Sequence, residues 1–155
     1  MSKPENVKVL APAKTPAPHH GEHDLQRLWS AVARKEWSSL VLVPVSAAAS
    51  TKVLAGKMLE IGELFRPRPK LFDGQGAQLA DGPRLAAEMK EYASGGGTAI
   101  ATVDPVVNSL AGIPLVLAAD AAVLVVDLRE SGLPDAHSTI EIVGRDRILG
   151  CVAVA

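Results

Sequence analysis

The segment from residue 40 to residue 62 has the layout of a phosphate-binding turn. Its apolar run Leu40–Val45 predicts a buried strand, and a helix is predicted from Thr51 onward. The turn between them reads Ser46-Ala47-Ala48-Ala49. In phosphate-binding turns, several glycines and a lysine allow backbone N–H groups and an ammonium group to surround the phosphates.

This turn lacks those groups. No glycine occurs between Gly21 and Gly56, and no lysine precedes Ser50 and Thr51. The hydroxyl groups of Ser46, Ser50 and Thr51 still lie at a predicted helix N-terminus, where weak anion binding is possible. A capping role for Ser50 explains the same residues without any ligand.

Two aspartates follow predicted strands and are the acidic candidates for chemistry. Asp73 stands in Leu71-Phe72-Asp73-Gly74 and could hold a cation or a polar ligand. Asp104, which precedes Pro105, could be catalytic. Both positions are also common for aspartates that end a strand or form a turn.

The histidine and cysteine content predicts neither a metal site nor a reactive thiol. His19, His20 and His23 are clustered, but no cysteine or aspartate follows them at ligand spacing, so a polar hinge is the preferred interpretation. Cys151 is the only cysteine, which excludes an intrachain disulfide and is typical of a reducing compartment. Its apolar surroundings favour a buried structural thiol over a nucleophile.

Length and charge exclude several classes of function. The chain has 155 residues and a formal net charge of −1, which gives no electrostatic case for nucleic acid. No signal peptide is visible and no apolar segment reaches the ~20 residues that span a bilayer, so a cytoplasmic protein without direct membrane insertion is predicted.

Residues 1–21 are rich in proline, alanine and lysine and predict a disordered or draping tail, and 22–155 predict a single domain.

The rest of the chain alternates apolar strands with amphipathic helices. Helices are predicted over Asp24–Arg34, Thr51–Phe65, from Pro83 and over Pro134–Val143, and strands over Leu40–Val45, Lys70–Phe72, Thr98–Val103, Ala122–Asp127 and Ile148–Val154, with Val106–Ala119 as an irregular or helical crossover. This pattern predicts an α/β three-layer sandwich with a mainly parallel five-stranded sheet. Leu54, Met58, Ile61 and Phe65 form the predicted inward stripe of their helix, and Trp29 is expected to help cover the sheet rather than dock a partner.

Three blocks in the C-terminal half resemble the deviant P-loop ATPases related to Min and Par proteins. They are Ala99–Pro105, Ala119–Val126 and Ile148–Val152, and their order and spacing are similar to the Walker B strand and the last two strands of that family. The resemblance runs from about Asp24 to the C-terminus. Within the family it is strongest to the bacterial tyrosine kinases of capsule and exopolysaccharide synthesis, and it implies a P-loop NTPase-like fold.

The sequence departs from the family pattern at the positions that bind phosphate, magnesium and the base. Ala48-Ala49 stand where glycine and lysine should be, and Thr102 stands at the Walker B aspartate that organises Mg²⁺. Asp73 matches the second acidic motif. Val154-Ala155 replace the asparagine that reads the base, and Tyr92 is the only tyrosine where the kinases have a tyrosine-rich tail.

The resemblance and its losses together predict a non-catalytic pseudo-ATPase or pseudokinase, a binding or regulatory module of bacterial polysaccharide synthesis or export. Ser46, Ser50, Thr51, Asp73 and Asp104 then form a vestigial nucleotide or anion site, with no catalytic residue, metal or cofactor. The expected partner is an inner-membrane polysaccharide export or chain-length protein or a related kinase, which would bring the protein to the inner membrane. A homo-oligomer is also compatible with the resemblance.

Two alternatives belong to other classes of function. One is a nucleotide-binding ATPase or kinase with an unconventional site, completed by a second subunit. The other is a positioning or scaffold protein of the Min/Par type.

Overall fold

A computed structural model describes residues 7–9, 21–47, 51–129 and 132–154. The helices are α1 (Gly21–Val32), α2 (Lys52–Phe65), α3 (Asp81–Ser94), α4 (Ile113–Ala118) and α5 (Leu133–Val143), and the strands are β1 (Val7–Val9), β2 (Ser39–Pro44), β3 (Pro69–Asp73), β4 (Thr98–Thr102), β5 (Ala121–Asp127) and β6 (Ile148–Val154). The five strands predicted from the sequence therefore all form, with ends that differ by at most one residue.

The sheet has the strand order β1-β6-β5-β2-β4-β3. The strands from β6 to β3 are mutually parallel, which confirms the predicted α/β class with a mainly parallel sheet. Strand β1 is an addition: it pairs antiparallel with β6, Val7 opposite Val154 and Val9 opposite Val152. Three residues of the segment predicted to be a disordered or draping tail thus extend the sheet to six strands.

Helices cover both faces of the sheet and form two separate cores. Because side chains alternate along a strand, Leu40 and Leu42 of β2 face one layer and Val41 and Val43 face the other. The first core contains buried residues of α1 and α2, and the second contains buried residues of α3, α4 and α5. The three-layer arrangement predicted from the sequence is therefore present.

Helix α1 covers the sheet as predicted, although it begins at Gly21 and ends at Val32, rather than spanning Asp24–Arg34. The Trp29 side chain is buried and its indole N–H donates to the Met58 carbonyl at 3.2 Å. Trp29 thereby joins α1 to α2 across the first core.

The predicted inward stripe of α2 is wrong at its last position. Leu54 and Met58 are buried, but Phe65 is 71% exposed. The contact with α1 near this end is made by Gly62, where an added Cβ atom would lie 3.1 Å from the Trp29 ring. Phe65 is the last residue of α2 and lies outside this contact, which leaves its ring at the surface.

Cys151 is half-buried in β6, and burial raises the pKa of its thiol. A raised pKa disfavours the thiolate, which is the nucleophilic form. The burial predicted from the sequence is thus only partial, and the raised pKa disfavours the nucleophilic role that the sequence also argued against.

Candidate functional site

The candidate site lies at the carboxyl edge of the parallel strands. Helix α2, which follows β2, packs on one face of the sheet, whereas α4 and α5, which follow β4 and β5, pack on the other. In open α/β sheets, ligands bind outside the carboxyl ends of strands where successive connections diverge in this way. Asp73 and Thr102 lie opposite each other in the register of β3 and β4 at this edge.

Asp73 is held by hydrogen bonds from its own neighbourhood. Its Oδ1 atom accepts from the Thr102 hydroxyl at 2.9 Å and from the backbone N–H of Gln75 at 3.0 Å. The Gln75 amide in turn donates from Nε2 to the Thr51 hydroxyl at 2.9 Å. A chain of hydrogen bonds, which passes through the backbone and the side chain of Gln75, therefore links the start of α2 to the ends of β3 and β4.

Asp104, which follows β4, binds the loop that follows β3. Its Oδ2 atom accepts from the backbone N–H of Gly76 at 2.8 Å, and the Gly74 N–H donates to the Thr102 carbonyl at 2.8 Å. Gly74 is also closely packed, since an added Cβ atom would lie 2.6 Å from Leu115 and 2.7 Å from the Thr102 carbonyl. The loop after β3 is thus pinned against the end of β4.

The structure brings together three of the five residues predicted for the vestigial site. Thr51, Asp73 and Asp104 are joined through Gln75, Gly76 and Thr102. Ser46 is half-buried just after β2. Ser50 lies outside the described residues, and Thr51 stands at the N-cap of α2 without a side-chain capping bond.

Asp127 is a carboxylate at this edge that the sequence reasoning did not single out. It ends β5, and its side chain is 1% exposed. The Arg129 backbone N–H donates to its Oδ1 atom at 2.8 Å, and the guanidinium Nη2 lies 3.2 Å from Oδ2. A buried carboxylate needs such compensation, because removal of a charge from water costs several kcal/mol. The signal in the sequence is a single acidic residue at the end of a strand that is otherwise apolar.

Three cavities in the described part of the chain lie away from this edge. One of about 650 Å³ lies between α1 and α2, one of about 440 Å³ lies beside β3 and α3, and one of about 170 Å³ is lined by Ser39 and Asp120 at the opposite edge of the sheet. The described residues contain no group of three His, Cys, Asp or Glu side chains placed to hold a metal ion. At the carboxyl edge, Asp73 Oδ1, Asp104 Oδ2 and the Thr51 hydroxyl each accept hydrogen bonds from the protein itself.

A parallel sheet in this order, with helices on both faces, defines an α/β protein compatible with a P-loop-like fold. The chain is similar to a solved structure described as the chimerical protein CapA2B2, with a TM-score of 0.73 and 11% sequence identity over 89% of this chain and 85% of that chain. At this identity the similarity concerns the fold alone. No protein-family model and no curated protein matches the chain.

No helix within the described ranges combines the length and apolar character needed to cross a membrane.

Proposed function

We propose that this protein is a non-catalytic binding or regulatory module that uses a P-loop-like fold without turning over nucleotide. The observation that supports the proposal is the hydrogen-bond chain at the carboxyl edge. The Thr51 hydroxyl accepts from Gln75, and the Asp73 carboxylate accepts from Thr102, at distances of 2.9 Å in both cases. These contacts tie the Thr51 hydroxyl and Asp73 Oδ1 to the protein, so a nucleotide and its magnesium ion would compete with them at both groups.

The sequence supports the proposal at the same positions. Alanines stand where the phosphate-binding glycine and lysine are expected, and Thr102 stands where the magnesium-organising aspartate is expected. With no lysine in the turn, an incoming triphosphate would meet the carboxylates of Asp73 and Asp104 with one cation fewer.

The proposed setting is bacterial polysaccharide synthesis or export. It rests on the resemblance to the capsule and exopolysaccharide kinases, with the fold likeness to CapA2B2 as a weaker support. The proposed partner is an inner-membrane chain-length or export protein, or a related kinase, and the module would act by occupying an interface at the cytoplasmic side of that membrane.

Titration with Mg-ATP and Mg-ADP, by calorimetry and by thermal unfolding, tests the proposal. A ligand present at 100 times its Kd stabilises a folded protein by about 2.7 kcal/mol, which is readily visible as a shift of Tm. We expect neither heat nor a shift at millimolar nucleotide. A shift that disappears in Thr51→Ala and Asp73→Asn but persists in Lys52→Ala, an exposed neighbour on α2, would instead establish an unconventional nucleotide site.

A further inference from the structure

The largest of the three cavities described above is an open groove between α1 and α2, away from the carboxyl edge. Its volume is about 650 Å³, and Trp29 of α1 and Ala33, which directly follows α1, face Ile61, Leu64 and Phe65 of α2 across it. Helix-in-groove recognition uses grooves of this kind, in which apolar side chains of one partner fill the space between two helices of the other.

One wall of the groove carries two large apolar side chains in contact with water. Leu64 is 77% exposed and Phe65 is 71% exposed, and they are consecutive in the chain. Single exposed apolar residues are ordinary, but adjacent ones that border an apolar groove are typical of interaction surfaces.

The groove is preformed. Trp29 is 3% exposed and held by its bond to the Met58 carbonyl, and Gly62 brings the α2 backbone close to the Trp29 ring. A partner would therefore not have to order this surface on binding, which lowers the entropic cost of association.

The rim of the groove carries a fixed cation, Arg66. Its guanidinium lies 4.2 Å from the centre of the Trp37 ring, and Nη1 donates to the Trp37 carbonyl at 2.7 Å. Burial lowers its pKa, as expected when a cation is partly removed from water. Among the described residues, the ion pairs involve other side chains, and no carboxylate lies within 4.0 Å of this guanidinium.

We propose that this groove docks an amphipathic helical segment of a protein partner, with apolar side chains between α1 and α2 and an acidic side chain on Arg66. Charge favours such a partner over a second copy of this chain, because the described residues that line the groove include a cation and no acidic residue. A twofold pairing would place two arginines together, and the described lining residues of neither copy would supply a carboxylate. The inference shares with the proposed function only the need for a protein partner, and the nucleotide titration does not bear on it.

The test is selection of displayed random peptides of about 15 residues, roughly four helical turns, on the immobilised full chain. We expect enriched peptides with apolar residues at helical spacing and at least one Asp or Glu. Their affinity should fall roughly tenfold or more for Phe65→Glu, as for a central interface residue. Leu133→Glu is the matched control, since Leu133 is 81% exposed on α5, in the opposite layer, and should leave the affinity unchanged.

The ion pair is tested by a double-mutant cycle. Replacing the acidic residue of the peptide by its amide should weaken binding to the wild-type chain but not to Arg66→Gln. An unchanged Tm for Phe65→Glu shows that its loss of binding is not a loss of folding. Peptides that bind Phe65→Glu as tightly as wild type, or a selection that returns no Phe65-dependent peptide, would overturn the proposal.

Sedimentation of the wild-type chain tests whether a second copy of the chain occupies the groove. We expect a monomer at micromolar concentration. A dimer that Phe65→Glu dissociates and Leu133→Glu does not would assign the groove to a second copy and would contradict the partner inference.

Discussion

At the scale of single residues, the carboxyl edge of the sheet is defined by hydrogen bonds that the protein makes to itself. Thr102 is 1% exposed and donates its hydroxyl to Asp73. A buried hydroxyl without a partner would be costly, so this bond both anchors Asp73 and satisfies Thr102.

Thr102→Val should lower the free energy of unfolding by about 1 kcal/mol, because it removes the hydroxyl and nearly preserves the volume of the side chain. Urea unfolding measures the change as a shift of the midpoint with an unchanged m value. Thr98→Val is the matched control. Thr98 is 2% exposed in the same strand, but the described residues provide no hydrogen bond to its hydroxyl. Equal losses in the two variants would contradict a role for the Asp73 bond.

The sequence could identify Thr51, Asp73 and Asp104 because Thr51 begins a predicted helix and each aspartate directly follows a predicted strand. It could not identify the link through Gln75, since the Gln75 amide meets Thr51 only when β3 and β2 have β4 between them. Asp127 was missed for a related reason: its burial depends on the neighbours of β5, which strand order decides and local pattern does not.

At the scale of elements, the close approach of α3 to the segment before α4 depends on Gly82. An added Cβ atom there would clash with the Ala111 backbone carbonyl and would lie 3.1 Å from Pro114. Gly56, within α2, has nothing within 4 Å of the same added atom. Packing therefore requires a glycine at position 82, whereas it does not require one at position 56.

Gly82→Ala should destabilise the protein by about 1–3 kcal/mol, because backbone must shift to admit the methyl group. Gly56→Ala should stabilise it by about 1 kcal/mol, since alanine has the higher helix propensity and its methyl group meets open space. Thermal unfolding of the two variants and the wild type measures whether each substitution lowers or raises the stability. A gain in stability for Gly82→Ala would contradict the packing described at Ala111.

The elements were predicted well where a long apolar run or a helical stripe repeats. The differences arise where an element depends on a distant neighbour. Strand β1 has three residues, too few for a periodic signal, and it forms by pairing with β6. Phe65 fits the stripe of α2 but lies outside the contact between Gly62 and α1, which helical spacing alone does not reveal.

At the scale of the whole molecule, β2 and β5 are the centre of the sheet. Each pairs with a strand on both sides, whereas β1 and β3 are the two edges. The alternation of strands and helices predicts the parallel sheet and its two helical layers, but the position of β4 between β2 and β3 comes from long-range packing.

Amide hydrogen exchange should therefore be slowest in β2 and β5, where exchange requires global unfolding, and faster in β3, which opens by local fraying. The measurement is native-state exchange followed by NMR or mass spectrometry. The central strand residues Val41 and Val123 serve as internal references for Leu71 in the edge strand. Equal protection in the edge and central strands would contradict this order of stability.

The placement of the two tryptophans also determines how unfolding can be observed. Trp29 and Trp37, the only tryptophans of the chain, lie 5.9 Å apart between ring centres and belong to the core covered by α1 and α2. Indole fluorescence therefore reports the melting of one layer only, and Tyr92 is the sole phenol on the opposite side. Coincident fluorescence and far-ultraviolet dichroism transitions would show that both layers unfold together. Separated transitions would reveal an intermediate in which only one helical layer has unfolded.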